Sequence, residues 1–114
     1  MPYIDVKTAA PLSEAQKESL KTGLGRLITL IPGKTEAVTM ISLAGGSALY
    51  MGGRALDRGA YVAIHTFGEA AREHKEAVAR AVAQLLAGEL QVEPDQLYVT
   101  FSGHSEWGCG GGMI

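Results

Sequence analysis

The sequence predicts an α/β two-layer sandwich: a four-stranded mixed sheet with two helices on one face, built from two pseudo-symmetric βαβ repeats. Three observations predict it. PYIDVKT, beginning at Pro2, resembles AYVAIHT, beginning at Ala60, and the offset of 58 positions then holds without a gap into two glycine-rich tails. Each half alternates apolar and polar residues with a period of two, switches to steps of three and four, and returns to two. A helix of about five turns between two such strands has the length that a parallel crossover needs, and such crossovers are right-handed.

In the first strand Ile4 and Val6 alternate with Tyr3, Asp5 and Lys7, giving one apolar face. The first helix opens at SEAQ, where Ser13 and Gln16 have capping-box spacing. Its apolar stripe is Leu20, Leu24, Leu27, Ile28 and Ile31, and Pro32 and Gly33 stop it. A strand from Val38 to Leu43 follows, then GGSALYMGG, ending at Gly53. The second half repeats the order: Val62 and Ile64 mark a strand, a helix runs from Glu69 to Ala87 with Gly88 as its stop, and a strand covers Leu97 to Phe101. Under the same offset Leu20, Leu24 and Ile28 fall on Val78, Val82 and Leu86, and GHSEWGCGG, ending at Gly111, falls on the first tail. The chain thus reads as a single domain over 1–114, with repeats at about 2–53 and 60–111.

Both helices can bury their stripes on the sheet face bearing Ile4, Val6, Ile41, Val62, Ile64 and Val99. The opposite face carries Tyr3, Asp5, Lys7, Met40, Ser42, Tyr61, His65, Tyr98 and Thr100, a mixture suited neither to free solvation nor to an isolated core. Short glycine-bounded arms such as ALYMGG read as edge strands that need partners. Together these features predict an oligomer whose edge strands pair between subunits.

Composition excludes several classes. Hydrophobic residues at 46% and charged residues at 19% describe a folded chain rather than a disordered one. A net charge of -2 supplies no excess of Lys and Arg to displace phosphate counterions, so no nucleic-acid partner is expected. No stretch has the ~20 apolar residues of a membrane span, and no basic region precedes an apolar run at the N-terminus, so no membrane partner is expected. The chain reads as cytoplasmic, compatible with leaderless export. Cys109 is the only cysteine, and His65, His74 and His104 lack metal-ligand spacing, so neither a disulfide nor a metal is expected. GCGGGM is not a dinucleotide loop, because no helix follows it; no cofactor is expected.

Four features, in order, carry a family resemblance: MP followed by a strand, GK at Gly33 and Lys34 after the first helix, HTFGEA where a strand meets the second helix, and EPDQLYVTF leading into a tail with Trp107. Over essentially its whole length the chain resembles the macrophage migration inhibitory factor family of the tautomerase superfamily. The resemblance implies a homotrimer with sites at subunit interfaces and keto–enol tautomerisation of a small acid of the phenylpyruvate type. It casts Pro2 as general base: an initiator methionine is normally removed ahead of proline, leaving a secondary amine that burial or a nearby cation keeps neutral. Ala60, the counterpart of Pro2, lies inside the chain and offers no amine.

The same resemblance casts Lys34 as partner of the substrate carboxylate, although a parallel unit reads as placing it at the sheet end opposite Pro2. It casts the backbone N–H of Phe67, read as unpaired between strand and helix, as a hydrogen-bond donor to a substrate oxygen. Tyr98 and Thr100 share the face expected to be covered by a neighbour, with Thr100 standing where the family commonly has asparagine and Val38 where it has tyrosine. Trp107 is read as a pocket wall or an interface residue. Two other readings stand beside this one. The chain can be a binding or signalling protein with an idle amine, or a decarboxylase or hydratase of a small unsaturated acid gripped by Arg54 and Arg58.

Overall fold

Alternation along the first strand decides where the core lies. In the computed structural model, which describes residues 1–114, strand β1 (Pro2–Thr8) buries Pro2, Ile4, Val6 and Thr8 and turns Tyr3, Asp5 and Lys7 to the other side. Helix α1 (Glu14–Leu27) starts where the capping box predicts: Gln16 N–H donates to the Ser13 hydroxyl, and Ser13 N–H donates to the Gln16 side chain. Two short 3-10 turns (Ile28–Leu30 and Glu36–Val38) lead to β2 (Met40–Ala44) and a hairpin of β3 (Tyr50–Met51) and β4 (Arg54–Ala55). The order then repeats as β5 (Ala60–Phe67), α2 (Arg72–Leu90) and β6 (Leu97–His104), closing on a hairpin of β7 (Gly108–Cys109) and β8 (Gly112–Met113).

The main sheet has the order β2-β1-β5-β6. Within each repeat the strands are parallel, β1 with β2 and β5 with β6, and the two repeats meet antiparallel along β1 and β5. Leu20, Leu24 and Ile28 of the first repeat and Val78, Val82, Leu86 and Leu90 of the second close over Ile4, Val6, Val62 and Ile64 as one buried cluster. Thr8 is buried with them and satisfied, its hydroxyl donating to the Gly59 carbonyl and accepting from Ala10 N–H. The predicted fold class is therefore the observed one. The hairpin turns correspond as well: Gly52 and Gly53, and Gly110 and Gly111, all have positive φ, the backbone a two-residue hairpin turn requires.

Element ends depart from the sequence reading in four places. Helix α2 begins at Arg72 rather than Glu69, because Gly68 (φ 81) first turns the chain and bonds back to β6. The helix runs through Gly88, since Leu90 beyond it is fully buried, and Gln91 in the left-handed region (φ 55) ends it instead. Val38 lies in a 3-10 turn, not in β2, which begins at Met40. Strand β6 continues past Phe101 to His104 because β5 extends to Phe67 and supplies its partner. No helix is long and apolar enough to cross a membrane.

Candidate functional site

Helix length settles where Lys34 goes. With 14 residues in α1 and 7 in β1, rises of about 1.5 and 3.3 Å per residue make the two elements nearly equal in length. The helix therefore returns the chain to the end at which β1 starts. This corrects the expectation that Lys34 stands at the opposite end of the sheet. Its ammonium donates a 2.9 Å hydrogen bond to the Phe67 carbonyl, and Phe67 follows Thr66, the register partner of Pro2.

The backbone at Phe67 is not unpaired, as the sequence reading has it. Phe67 N–H donates to the Met1 carbonyl at 3.1 Å and Gly68 N–H to the His104 carbonyl at 2.8 Å. The reason is local: Met1 directly precedes β1 and continues its pairing with β5, so the Met1 carbonyl occupies the donor at the end of β5. Loss of Met1 would remove that acceptor and leave Phe67 N–H free beside the Pro2 nitrogen. The chain-terminal ammonium on Met1 is held below the ordinary amine value, first by burial and second by the Lys34 charge.

A cleft of about 660 Å³ opens at this end of the sheet, and Met1, Pro2, Val38 and Trp107 all line it. Val38 and Met40 expose apolar surface to it, and Trp107 is half-buried on its far wall, held where its carbonyl accepts from Ile114 N–H at 2.9 Å. Pro2, Val38 and Trp107 thus share one cavity, with Lys34 and the Phe67 backbone bonded together beside the chain start.

Tyr98 and Thr100 are elsewhere. Tyr98 is in register with Tyr61, which pairs with Lys7, whereas Pro2 pairs with Thr66. The step along β5 from Thr66 to Tyr61 is about 17 Å at ~3.3 Å per residue. Within one chain neither side chain joins the cleft at Pro2. Tyr98 is 65% exposed, and the Thr100 hydroxyl shares a 2.7 Å hydrogen bond with the Tyr61 hydroxyl.

The cleft floor holds residues that sequence reasoning did not single out. Tyr3 stacks on His65 with ring centroids 5.9 Å apart, His65 on His104 at 5.3 Å, and Trp107 meets His104 edge-on at 5.7 Å. His65 Nδ1 and His104 Nε2 share a 3.1 Å hydrogen bond. At the other end of this row the Tyr3 hydroxyl bonds the Ser42 hydroxyl, which donates to the Asp5 carboxylate. Tyr3 and His65 were visible as residues of one sheet face; His104 was not, because it lies beyond the predicted end of its strand. Of the two arginines considered for a second carboxylate, Arg58 donates to the Leu90 carbonyl and serves the end of α2. No three His, Cys, Asp or Glu side chains converge as metal ligands would.

Comparison with known proteins identifies the family and the fold. The family model described as macrophage migration inhibitory factor (MIF) matches residues 1–111. No curated protein sequence matches the chain. Among solved structures, Leishmania major MIF2 superposes with a TM-score of 0.91 at 19% identity, over 100% of this chain and 97% of that one. The homologue from Prochlorococcus marinus gives 0.85 at 22% identity, over 97% of each. Pt0534, solved after inactivation by 2-oxo-3-pentynoate, gives 0.80 at 16% identity, over 96% and 93%. At these identities the superpositions establish the fold.

Proposed function

Because the chain belongs to the macrophage migration inhibitory factor family, we propose that it is a keto–enol tautomerase of a small α-keto acid, phenylpyruvate-like, with the Pro2 amine as general base once Met1 is removed. One observation carries the reading: Lys34 and the Phe67 backbone, 33 residues apart, are bonded to each other beside the chain start. An amine in that place would feel the same burial and Lys34 charge that lower the Met1 ammonium, both of which favour its neutral form.

Neutral Pro2 takes a proton from the carbon next to the keto group and returns it across the enol system, so one base serves both steps. The Lys34 ammonium pairs with the substrate carboxylate. Phe67 N–H, freed of the Met1 carbonyl, donates to a substrate oxygen as negative charge develops there. Val38 and Trp107 supply apolar walls that exclude water and strengthen both interactions. The inactivation of Pt0534 by 2-oxo-3-pentynoate, itself a keto acid, supports this substrate class.

Tyr98 and Thr100 enter the reading through assembly. Both sit on the uncovered sheet face, remote from their own Pro2. In a homotrimer with edge strands paired between subunits they would complete a neighbour's cleft, Thr100 by its hydroxyl and Tyr98 by its ring. Met40 and Tyr61, exposed on the same face, would be buried by that contact.

Enol-to-keto conversion of phenylpyruvate, followed for wild type and Pro2→Gly after intact mass has shown Met1 to be absent, tests the proposal. Catalysis by the amine predicts a loss of ~10² to 10⁴ in rate for the variant; equally slow proteins would end it. The bonded Met1 carbonyl favours a second reading, of a binding or signalling protein, for any population that keeps Met1. Reading the chain as a hydratase or decarboxylase gains no support, since Arg58 is engaged at Leu90.

A further inference from the structure

Helix α1 carries a residue that weakens it. Glycine in a helix interior is less stable than alanine, yet Gly25 stands buried in α1 beside Leu24 of the core. Its neighbour explains the choice. The Glu36 side chain lies against the helix at this point: a Cβ added at Gly25 would overlap the carboxylate and stand 2.6 Å from Glu36 Cδ and 2.8 Å from Cγ, well inside the separation at which two carbons attract. The missing side chain makes a notch, and Glu36 fills it. Glu36 also opens the 3-10 turn Glu36–Val38, two residues after Lys34, which donates to the Phe67 carbonyl, and two before Val38, which lines the cleft. Three alternate residues of one loop thus reach three places: the end of β5, the side of α1 and the cleft.

The second repeat serves as an internal control. At the offset of 58 the turn Glu36–Val38 falls on the turn Pro94–Gln96, so the same turn forms without a glutamate. Gly25 falls on Ala83 inside α2, and Lys34 falls on Val92, which is buried. Notch, glutamate and cation occur together in one repeat and are absent together from the other. Neither helix packing nor turn formation requires that coincidence, whereas placing the Lys34 ammonium does.

We propose that Glu36, seated in the Gly25 notch, is a positioning residue that holds the Lys34 ammonium beside the chain-start amine and fixes the cleft wall at Val38. The proposal deepens the tautomerase reading and rests on it for the use made of Lys34. Where Lys34 stands does not depend on that reading.

Titration of the amine tests the proposal without turnover. Burial and then the Lys34 charge lower the chain-start ammonium, so a cation that moves away should let its pKa rise. The resonances of Pro2 in proline-labelled protein lacking Met1 follow that titration. Tyr3, His65, His104, Glu106 and Cys109, the other titratable residues lining the cleft, are the same in every variant. Glu36→Ala and Gly25→Ala should each raise the amine's pKa, while Glu36→Gln, which keeps the shape that fits the notch, should leave it at the wild-type value. Combining the two alanine changes should do no more than Glu36→Ala alone, because the overlap has lost one partner. In chains already carrying Lys34→Ala neither change should raise the value further, since the cation they displace is gone. KM for phenylpyruvate should rise by about two- to tenfold in either alanine variant, less than on loss of the ammonium itself, with kcat nearly unchanged.

An amine unaltered in Glu36→Ala, equal values in Glu36→Ala and Glu36→Gln, or a rise that persists without Lys34 overturns the proposal. Should Gly25→Ala not fold, the two substitutions at exposed Glu36 decide alone. A protein whose amine responds as expected but which leaves phenylpyruvate unchanged would lose the tautomerase reading and keep the positioning of Lys34.

Discussion

Lys34 Nζ and the Phe67 carbonyl lie 2.9 Å apart and tie the loop after α1 to the last residue of β5. The contact leaves the ammonium two further protons with which to hold a carboxylate. Lys34→Ala should lower kcat/KM for phenylpyruvate by about 10- to 100-fold, the worth of a charge-assisted hydrogen bond, mostly through KM. Lys34→Arg should recover part of the loss. Unchanged KM in the alanine variant would remove Lys34 from substrate binding.

The pH profile should carry the same residue's signature. The base works unprotonated, so kcat/KM should fall as pH drops through the amine's lowered pKa. Burial, the larger cause of the lowering, survives Lys34→Ala, while the coulombic part does not. The acid limb of the profile should therefore move to higher pH in that variant without reaching the ordinary amine value near 8. A limb that stays in place, or moves to lower pH, would show that Lys34 does not set the amine's charge.

Retention of Met1 should silence the protein twice over. It acylates the Pro2 nitrogen, and its carbonyl takes the hydrogen bond of Phe67 N–H at 3.1 Å. Chains sorted by intact mass should differ by ~10² to 10⁴ in turnover. Equal turnover by both forms would rule out the amine.

Shared sites make a prediction of their own. Pro2→Gly and Thr100→Ala damage separate places in one chain's sheet, since Thr100 is in register with Ala63 and Pro2 with Thr66, three residues further along β5. When the two variants are denatured together and refolded as mixed assemblies, some clefts regain an intact Pro2 and a neighbour's intact Thr100. Activity above the average of the separate variants is expected, and its absence would confine each cleft to one subunit.

Local chemistry made most of the fold legible. Leu20, Leu24, Val78 and Val82 are fully buried because helical spacing alone puts them on one stripe, and Ile4 and Val62 because strand alternation does. The end of α2 escaped because Gly88 reads as a stop when taken by itself, and only tertiary burial of Leu90 carries the helix past it. Pro2 and Trp107 were visible as types of residue. The His65–His104 contact was not, since it joins positions 39 apart and depends on how far β5 and β6 stay paired. The direction in which α1 returns the chain was likewise a matter of matched lengths rather than of any motif, which is why Lys34 was placed at the wrong end.

The two glycines between β7 and β8 bear on handedness. No atom lies within 4 Å of the position an L-residue's Cβ would take at Gly110 or Gly111, so bulk is not what excludes other residues. Backbone angles of φ 58 and 91 exclude them, at roughly 1–2 kcal/mol for each L-residue forced to positive φ. A mirror-image residue escapes that penalty. D-alanine introduced at both positions by chemical ligation should stiffen the arm that carries Gly108 and Cys109 along the cleft, where L-alanine should weaken its turn. Chirality, rather than space, sets what this wall of the cavity tolerates.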